Sequence, residues 1–178
     1  KKFEIIVVNP KPIAEDNKIS EKIFSSKDTA ARVRTIMDLI KTSRSTLTFT
    51  NTRDFAEILA SRIRAVDKEF PAAIHHGSLS KEVRIKAEKE FKEEKIKSLI
   101  STSSLQLGID IGAIDLTIQY MSPRQVSQLI QRVGRSGHEL SKISKGVVIA
   151  TEEDDIFESS VIARKALAGE LESLVTHK

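Results

Sequence analysis

Several common features are missing from this sequence of 178 residues, and their absence excludes some classes of protein. The chain has no cysteine, which excludes disulfide bonds and thiolate metal sites and is compatible with a reducing cytoplasm. No apolar run is long enough to span a membrane, and no segment resembles a signal peptide. We therefore expect a cytoplasmic protein without a membrane partner.

A phosphate-cradling P-loop is also missing, because GxxxxGK followed by Ser or Thr occurs nowhere in the sequence. A phosphate-directed segment is nevertheless present at 131–138, where the letters QRVGRSGH place two arginines and two glycines at the end of a predicted helix. Guanidinium groups are permanently charged and fork onto phosphate oxygens, and glycines let a backbone approach an anion closely. We infer that Arg135 acts on a nucleotide that another domain holds.

The composition is that of an ordinary globular protein, with 39% hydrophobic and 30% charged residues. The length suits one domain with a full core. A net charge of +4 and a pI of about 9.3 favour an anionic partner, although a small excess of Lys also occurs on proteins that bind none. Only 7 Phe and 1 Tyr are present, mostly on predicted core faces, so base stacking by this domain is not expected.

Apolar runs with strand character alternate with helical periodicity, which predicts an α/β fold with a mostly parallel sheet flanked by helices. Strands are predicted at 3–8, 46–50, 72–75, 97–102, 114–120 and 146–150. Helices are predicted around the stripes 33–40, 55–66, 83–91 and 126–133, and at 154–167. Thr52 and Ser80 are interpreted as N-caps, Ser122 and Pro123 as the N-cap and first residue of the fourth helix, and 10–26 as one long connection. The ending at 169–178 has no stop signal, so we expect a piece of a longer protein.

The predicted helix at 126–133 carries a polar stripe formed by Gln128, Gln131, Arg132 and Arg135. The stripe is offset from the apolar one by two residues, about 200° of rotation, so we expect it to face away from the core. A solvated helix face is the alternative interpretation. Such a face has no need of Gly134 and Gly137, because each glycine costs up to about 1 kcal/mol in a helix interior. The glycines therefore favour a functional surface.

Polar and small residues follow three of the predicted strands, where ligands of open α/β sheets collect. Their hydroxyls and backbone N–H groups suit a phosphodiester. Asp110, between two glycine-bounded turns, either accepts hydrogen bonds from a sugar hydroxyl or caps its own turn. The adjacent His75 and His76 lack metal-ligand spacing, so no metal site is expected. The acidic run 152–155 is interpreted as the start of a helix.

Taken in order, these segments resemble the second RecA-like motor domain of superfamily 2 helicases over nearly the whole chain, 1–178. Residues 47–53 look like motif IV of that family, 76–78 like motif IVa, 101–112 like motif V and 131–138 like motif VI. Within the superfamily, 102–112 and 131–138 look most like the Lhr (large helicase-related) group of DNA helicases. The resemblance implies an ATP-dependent helicase with a place in DNA repair, whose isolated second domain is inactive.

The resemblance also implies roles for individual residues. Arg135 would be the arginine finger on the γ-phosphate, supported by Gln131 and Arg132. The nucleotide would be contacted by Asp110, Gly108 and His138, and the nucleic-acid backbone by Asn51, Arg53, Gly77, Ser78, Thr102 and Ser103. ATP with Mg²⁺ would be bound mainly by the first RecA-like domain of the same protein, and the other partner would be single-stranded or partly duplex DNA. Two departures are visible, since His138 replaces a frequent arginine and Gln106 a Glu that is more usual in the Lhr group.

Two other interpretations stay open. The same fold serves RNA-remodelling ATPases such as DEAD-box proteins, and backbone contacts alone hardly distinguish DNA from RNA. The chain could also be a nucleic-acid or protein interaction module without catalysis. The missing P-loop favours that view, and the intact set of Gln131, Arg132 and Arg135 opposes it.

Overall fold

The computed structural model describes residues 1–106, 109–137 and 143–172. One parallel sheet has the strand order β1-β6-β5-β2-β4-β3. Its strands are β1 (Phe3–Val8), β2 (Thr46–Phe49), β3 (Ala72–His75), β4 (Ser98–Ser101), β5 (Leu116–Tyr120) and β6 (Ser144–Ile149). The helices are α1 (Asp16–Ile23), α2 (Lys27–Thr42), α3 (Arg53–Val66), α4 (Lys81–Lys92), α5 (Val126–Val133) and α6 (Glu153–Ala168), with a 3-10 turn at Ser103–Leu105. The predicted fold class is confirmed.

Both faces of the sheet are covered, as parallel sheets require. On one face, the apolar sides of α1, α2 and α3 pack against alternate strand residues such as Ile100, Ile118 and Ile149. The other face packs against α4, α5 and α6. The polar residues Thr48 and Ser98 are also buried between β2 and β4, where their hydroxyl oxygens lie 3.0 Å apart and satisfy each other.

The prediction that 10–26 is one connection is wrong, because α1 lies within it. This helix is fastened by Asp16, a fully buried carboxylate that accepts hydrogen bonds from the backbone N–H of Ile13 and from Arg34 Nε, both at 2.8 Å. Ile19 and Ile23 give this helix only a short apolar stripe, and an ion pair with a residue 18 positions away cannot be read from the local sequence. The hydrophobic pattern of the sequence therefore did not predict this helix.

The predicted start of α5 is also wrong. Its N-cap is Gln125, and Ser122 instead donates its N–H to Asp155 Oδ1 at 2.9 Å and accepts from Arg124 N–H at 3.1 Å. Arg124 has a φ of 68°, which no α-helix tolerates. Ser122 thus caps a tight turn that precedes the helix. The N-caps Thr52 and Ser80 are confirmed, since their hydroxyls accept from Phe55 N–H and Val83 N–H.

Gly146 in β6 makes room for the Val133 side chain of α5. A Cβ at that position would lie 2.5 Å from Cγ2 of Val133. None of the described helices is long and apolar enough to cross a membrane.

Candidate nucleotide and nucleic-acid site

The parallel strands bring the predicted nucleic-acid-binding residues to one edge of the sheet. We call this edge the strand-end surface, formed by Asn51, Arg53, Gly77, Ser78, Thr102 and Ser103. The loops after β2 and β3 meet where the Arg53 guanidinium donates to the Ser78 hydroxyl. The backbone N–H of Thr50 donates to Ser101 O at 2.8 Å and joins the loops after β2 and β4. Most of these residues are exposed, and Asn51 and Thr102 are half-buried.

The two adjacent histidines lie beneath this surface and are buried. His75 Nε2 lies 2.7 Å from Glu88 Oε1, and His76 Nε2 lies 2.7 Å from Glu57 Oε1. The His75 ring therefore links the end of β3 to α4, and the His76 ring links the loop after β3 to α3. No cluster of His, Asp and Glu suited to a metal ion occurs in the described ranges.

Arg132 was expected on an outward polar stripe, and that expectation is wrong because its side chain is buried with 3% exposure. Helical side chains lean toward the helix N-terminus, which in α5 is the end next to the strand-end surface. The guanidinium donates to Gln119 Oε1 at 2.8 Å, to Gln106 Oε1 at 3.1 Å and to Asn51 Oδ1 at 3.2 Å. Burial lowers the pKa of Arg132 to about 10, since all three acceptors are neutral.

Asn51 and Gln119 are both oriented by Arg132. Arginine has donors only, so each amide turns its oxygen toward the guanidinium. The amide nitrogen of Asn51 then donates to Ser122 O at 2.7 Å. The role of Gln119 was missed from the sequence, although a glutamine inside an apolar strand is itself a signal of a buried polar partner.

Gln131 is exposed on α5 and accepts a hydrogen bond from Gln106 Nε2. Gln106 accepts from Arg132 at the same time. The turn that contains Gln106 is thus joined to two residues of the predicted motif VI segment.

Arg135 lies at the other end of α5 and is half-buried. Its Nη2 donates to Ile109 O, and its buried Nε has no partner among the described residues. Burial lowers the pKa of Arg135, and the charge of Asp110 acts in the opposite direction. Lys1 donates to Gly134 O at 2.7 Å, and burial together with the Arg135 charge lowers the pKa of Lys1. The end of α5 is therefore a concentration of positive charge with an open donor.

Asp110 adopts the local capping geometry, since its Oδ1 accepts from Gly112 N–H at 3.2 Å. Its side chain is nevertheless 92% exposed, and Oδ2 lies 3.8 Å from Lys92 Nζ. Asp110 therefore caps its own turn with one carboxylate oxygen and keeps the other directed outward. Gly108 and His138, the other predicted nucleotide contacts, lie outside the described residues.

Gly137 has a backbone reason for being glycine, which weakens the phosphate interpretation of this position. Its φ is +64°, and a Cβ there would lie 2.7 Å from Ile143 O. The chain needs this glycine to pass from α5 into β6.

The fold and this site define a class of protein. A parallel sheet of this order, with helices on both faces, is the fold of the second RecA-like motor domain of superfamily 2 helicases. The model of the helicase conserved C-terminal domain matches residues 31–139, and the chain belongs to that family.

Comparison with known proteins shows that the chain is similar to helicases of the Lhr group. ATP-dependent helicase Lhr-Core of Saccharolobus solfataricus is 39% identical over 175 residues, which cover 94% of this chain and 20% of that protein. Lhr helicase/uracil glycosylase of Escherichia coli is 36% identical over 170 residues, covering 78% and 11% of the two chains. This chain spans 11% to 20% of the length of such curated relatives.

Two solved structures show the same fold. The Mycobacterium smegmatis helicase Lhr bound to ssDNA and AMP-PNP has a TM-score of 0.84 and 34% identity, covering 98% of this chain and 23% of that one. S. cerevisiae Dbp5 bound to RNA and ADP BeF3 has a TM-score of 0.72 and 21% identity, covering 96% and 40%. At that identity, the second likeness concerns the fold alone.

Proposed function

We propose that residues 1–178 form the second motor domain of an ATP-dependent DNA helicase or translocase, in which Arg135 acts as the arginine finger. The observation that carries this proposal is the placement of Arg135 just beyond α5, beside the charge of the exposed Asp110, with a buried Nε that has no partner among the described residues. A donor left open inside a protein costs free energy unless a ligand completes it. A phosphate bound by the first motor domain would supply that acceptor when the domains close.

Asp110 would meet the ribose, because its exposed carboxylate lies near Arg135 and its charge acts on that residue's pKa. Mg²⁺ and the remaining phosphate contacts would come from the first domain, since this sequence has no P-loop. Gly108 and His138 stay predicted contacts of the nucleotide. In this arrangement the domain would stabilise the negative charge that develops on the phosphate in the transition state. It would not hydrolyse ATP by itself.

The strand-end surface would follow the phosphate backbone of the nucleic acid. Its groups are hydroxyls, amides and the guanidinium of Arg53, which bind phosphate without reading bases. DNA is the proposed substrate because the Lhr structure with 34% identity was solved with ssDNA, whereas the likeness to an RNA-bound structure rests on 21% identity. A cytoplasmic location and a place in DNA repair stay predictions.

ATP hydrolysis by the full-length protein and by residues 1–178 alone tests the proposal. The full-length protein is expected to hydrolyse ATP in a DNA-dependent manner, and the domain alone is expected to be inactive. Unwinding of matched DNA and RNA duplexes distinguishes the two substrates. DNA-stimulated hydrolysis by the domain alone would contradict the two-domain mechanism, and a preference for RNA would favour the remodelling alternative.

A further inference from the structure

A chain of hydrogen bonds runs from α4 to the loop that follows β4. His75 Nε2 lies 2.7 Å from Glu88 Oε1, and His75 Nδ1 lies 3.0 Å from Ser104 Oγ. Ser104 Oγ lies 3.1 Å from Ser101 Oγ, and the Ser101 hydroxyl donates to Thr102 O at 3.0 Å. His75 and Ser101 are both fully buried, whereas Glu88 and Ser104 are half-buried.

The donors and acceptors of this chain follow from the chemistry of its members. A carboxylate accepts only, so His75 donates from Nε2 to Glu88. The Nδ1 atom of a neutral imidazole is then an acceptor, and the Ser104 hydroxyl donates to it at 3.0 Å in preference to His75 O at 3.3 Å. Ser104 Oγ has then given its only proton, so the Ser101 hydroxyl shares its own proton between Ser104 Oγ and Thr102 O, which lie 3.1 and 3.0 Å away. The bond between His75 and Ser104 thereby fixes the 3-10 turn at Ser103–Leu105 against the end of β3.

The last bond of the chain sets the direction of one peptide group. All described peptide bonds are trans, and in a trans peptide the C=O and the next N–H point in opposite directions. Because Thr102 O is turned toward the buried Ser101 hydroxyl, the N–H of Ser103 points away from it. Ser103 is exposed, and its N–H makes no hydrogen bond to another described residue.

We infer that His75 is a positioning residue for nucleic-acid binding, which holds Ser104 and so fixes the Thr102–Ser103 peptide with its N–H toward a backbone phosphate. This inference rests on the proposed function of the strand-end surface. Backbone N–H groups bind phosphate oxygens well, and an N–H that is oriented beforehand needs no ordering when the strand arrives. The bond between buried His75 and half-buried Glu88 supports the geometry from α4.

The competing explanation is that His75 only fastens α4 to the sheet. Two substitutions distinguish the explanations, because each retains only one of the two hydrogen bonds that the imidazole nitrogens make. The Asn side-chain amide lies as many bonds from Cβ as Nδ1, so His75→Asn retains a partner for Ser104 and loses Glu88. The longer Gln amide reaches the position of Nε2, so His75→Gln retains Glu88 and loses Ser104.

Affinity of the full-length protein for a labelled single-stranded thymidine oligonucleotide is the measurement. His75→Gln and Ser104→Ala are expected to weaken binding about tenfold, the size of one hydrogen bond to a charged group. His75→Asn is expected to change it less than about twofold. The melting temperatures of the two His75 variants report folding, and the ATPase kcat at saturating DNA is expected to match wild type in every variant.

Equal losses in His75→Asn and His75→Gln, or a larger loss in His75→Asn, would overturn the inference and leave His75 a structural link. The wild-type protein checks the proposed function separately. If it shows neither DNA binding nor DNA-dependent hydrolysis, both proposals fail. If the wild-type protein shows both activities but the His75 variants do not rank in DNA affinity as expected, the proposed function stands and this inference fails.

Discussion

Arg132 Nη1 donates a hydrogen bond of 3.2 Å to Asn51 Oδ1, and this bond joins helix α5 to the loop that follows β2. Asn51 belongs to the strand-end surface, and Arg132 lies one helical turn before the proposed finger, Arg135. Through Gln106 the same guanidinium is also connected to Gln131. The two proposed binding regions of the domain therefore share one buried side chain.

Substitution of Arg132 tests this arrangement through stability. Arg132→Ala leaves the side-chain oxygens of Gln119 and Gln106 without their donor, and leaves Asn51 Oδ1 with only a 3.3 Å bond from Gln119 Nε2. It also removes a guanidinium that lies 5.4 Å from the ring centre of Phe49. We expect the free energy of unfolding of the domain to fall by about 3 kcal/mol. Urea denaturation measures it, and the exposed Arg64 offers a matched control whose replacement by Ala should cost less than about 0.5 kcal/mol. A loss equal to that of the control would mean that the Arg132 network adds nothing.

Asp16 gives the domain a stability that depends on pH. Burial acts to raise the pKa of Asp16, but the hydrogen bonds from Arg34 and Ile13 outweigh it, and the folded-state pKa lies below the ordinary value. A lowered pKa means that this stabilisation is present above the unfolded pKa, about 4, and is lost as the pH falls through the folded value. Asp16→Asn should cost about 2 kcal/mol at pH 7 and less at pH 3. Melting curves at both pH values show whether the difference narrows, and a constant difference would exclude the carboxylate charge as its cause.

Thr102→Ala probes the strand-end surface without touching the nucleotide side. The variant removes one half-exposed hydroxyl, and we expect DNA affinity to fall about fivefold with an unchanged ATPase kcat at saturating DNA. Affinity should also fall steeply with salt in both proteins, since the contacts are aimed at phosphate. Thr42, exposed at the end of α2, is the control, and Thr42→Ala should bind as wild type does. A drop in kcat without a change in affinity would place Thr102 in catalysis instead.

The sequence predicted the strands well because buried parallel strands are rich in unbroken apolar runs, as at 146–150 in and after β6. It predicted the loops at the strand ends for the same reason, since the positions follow from where each run stops. It failed for α1 and for Arg132, where a buried charge is satisfied by residues far away in the chain. Periodicity treats every charged residue as exposed, and only the folded structure shows which long side chains turn inward.

Arg135 is the residue on which the proposed function depends most. Its guanidinium is fixed by Ile109 O and keeps a buried Nε without a partner among the described residues, so it is prepared for an acceptor that arrives from outside this domain. If that acceptor is the γ-phosphate, the charge acts mainly on the transition state. Arg135→Ala in the full-length protein should then lower the DNA-stimulated ATPase kcat by a factor on the order of 10³, the low end for arginine fingers.

DNA affinity decides what such a loss means. Arg135 lies at the end of α5 that is remote from the strand-end surface, so Arg135→Ala should bind single-stranded DNA within about twofold of wild type, whereas Thr102→Ala should lose affinity and keep kcat. Arg64→Ala, which removes an exposed arginine of α3, controls for the lost charge and should match wild type in both measurements. If Arg135→Ala instead abolished DNA binding and left DNA-independent hydrolysis intact, the end of α5 would be a DNA-facing surface. Other residues would then have to complete the nucleotide-binding site, because this helix would supply no arginine finger.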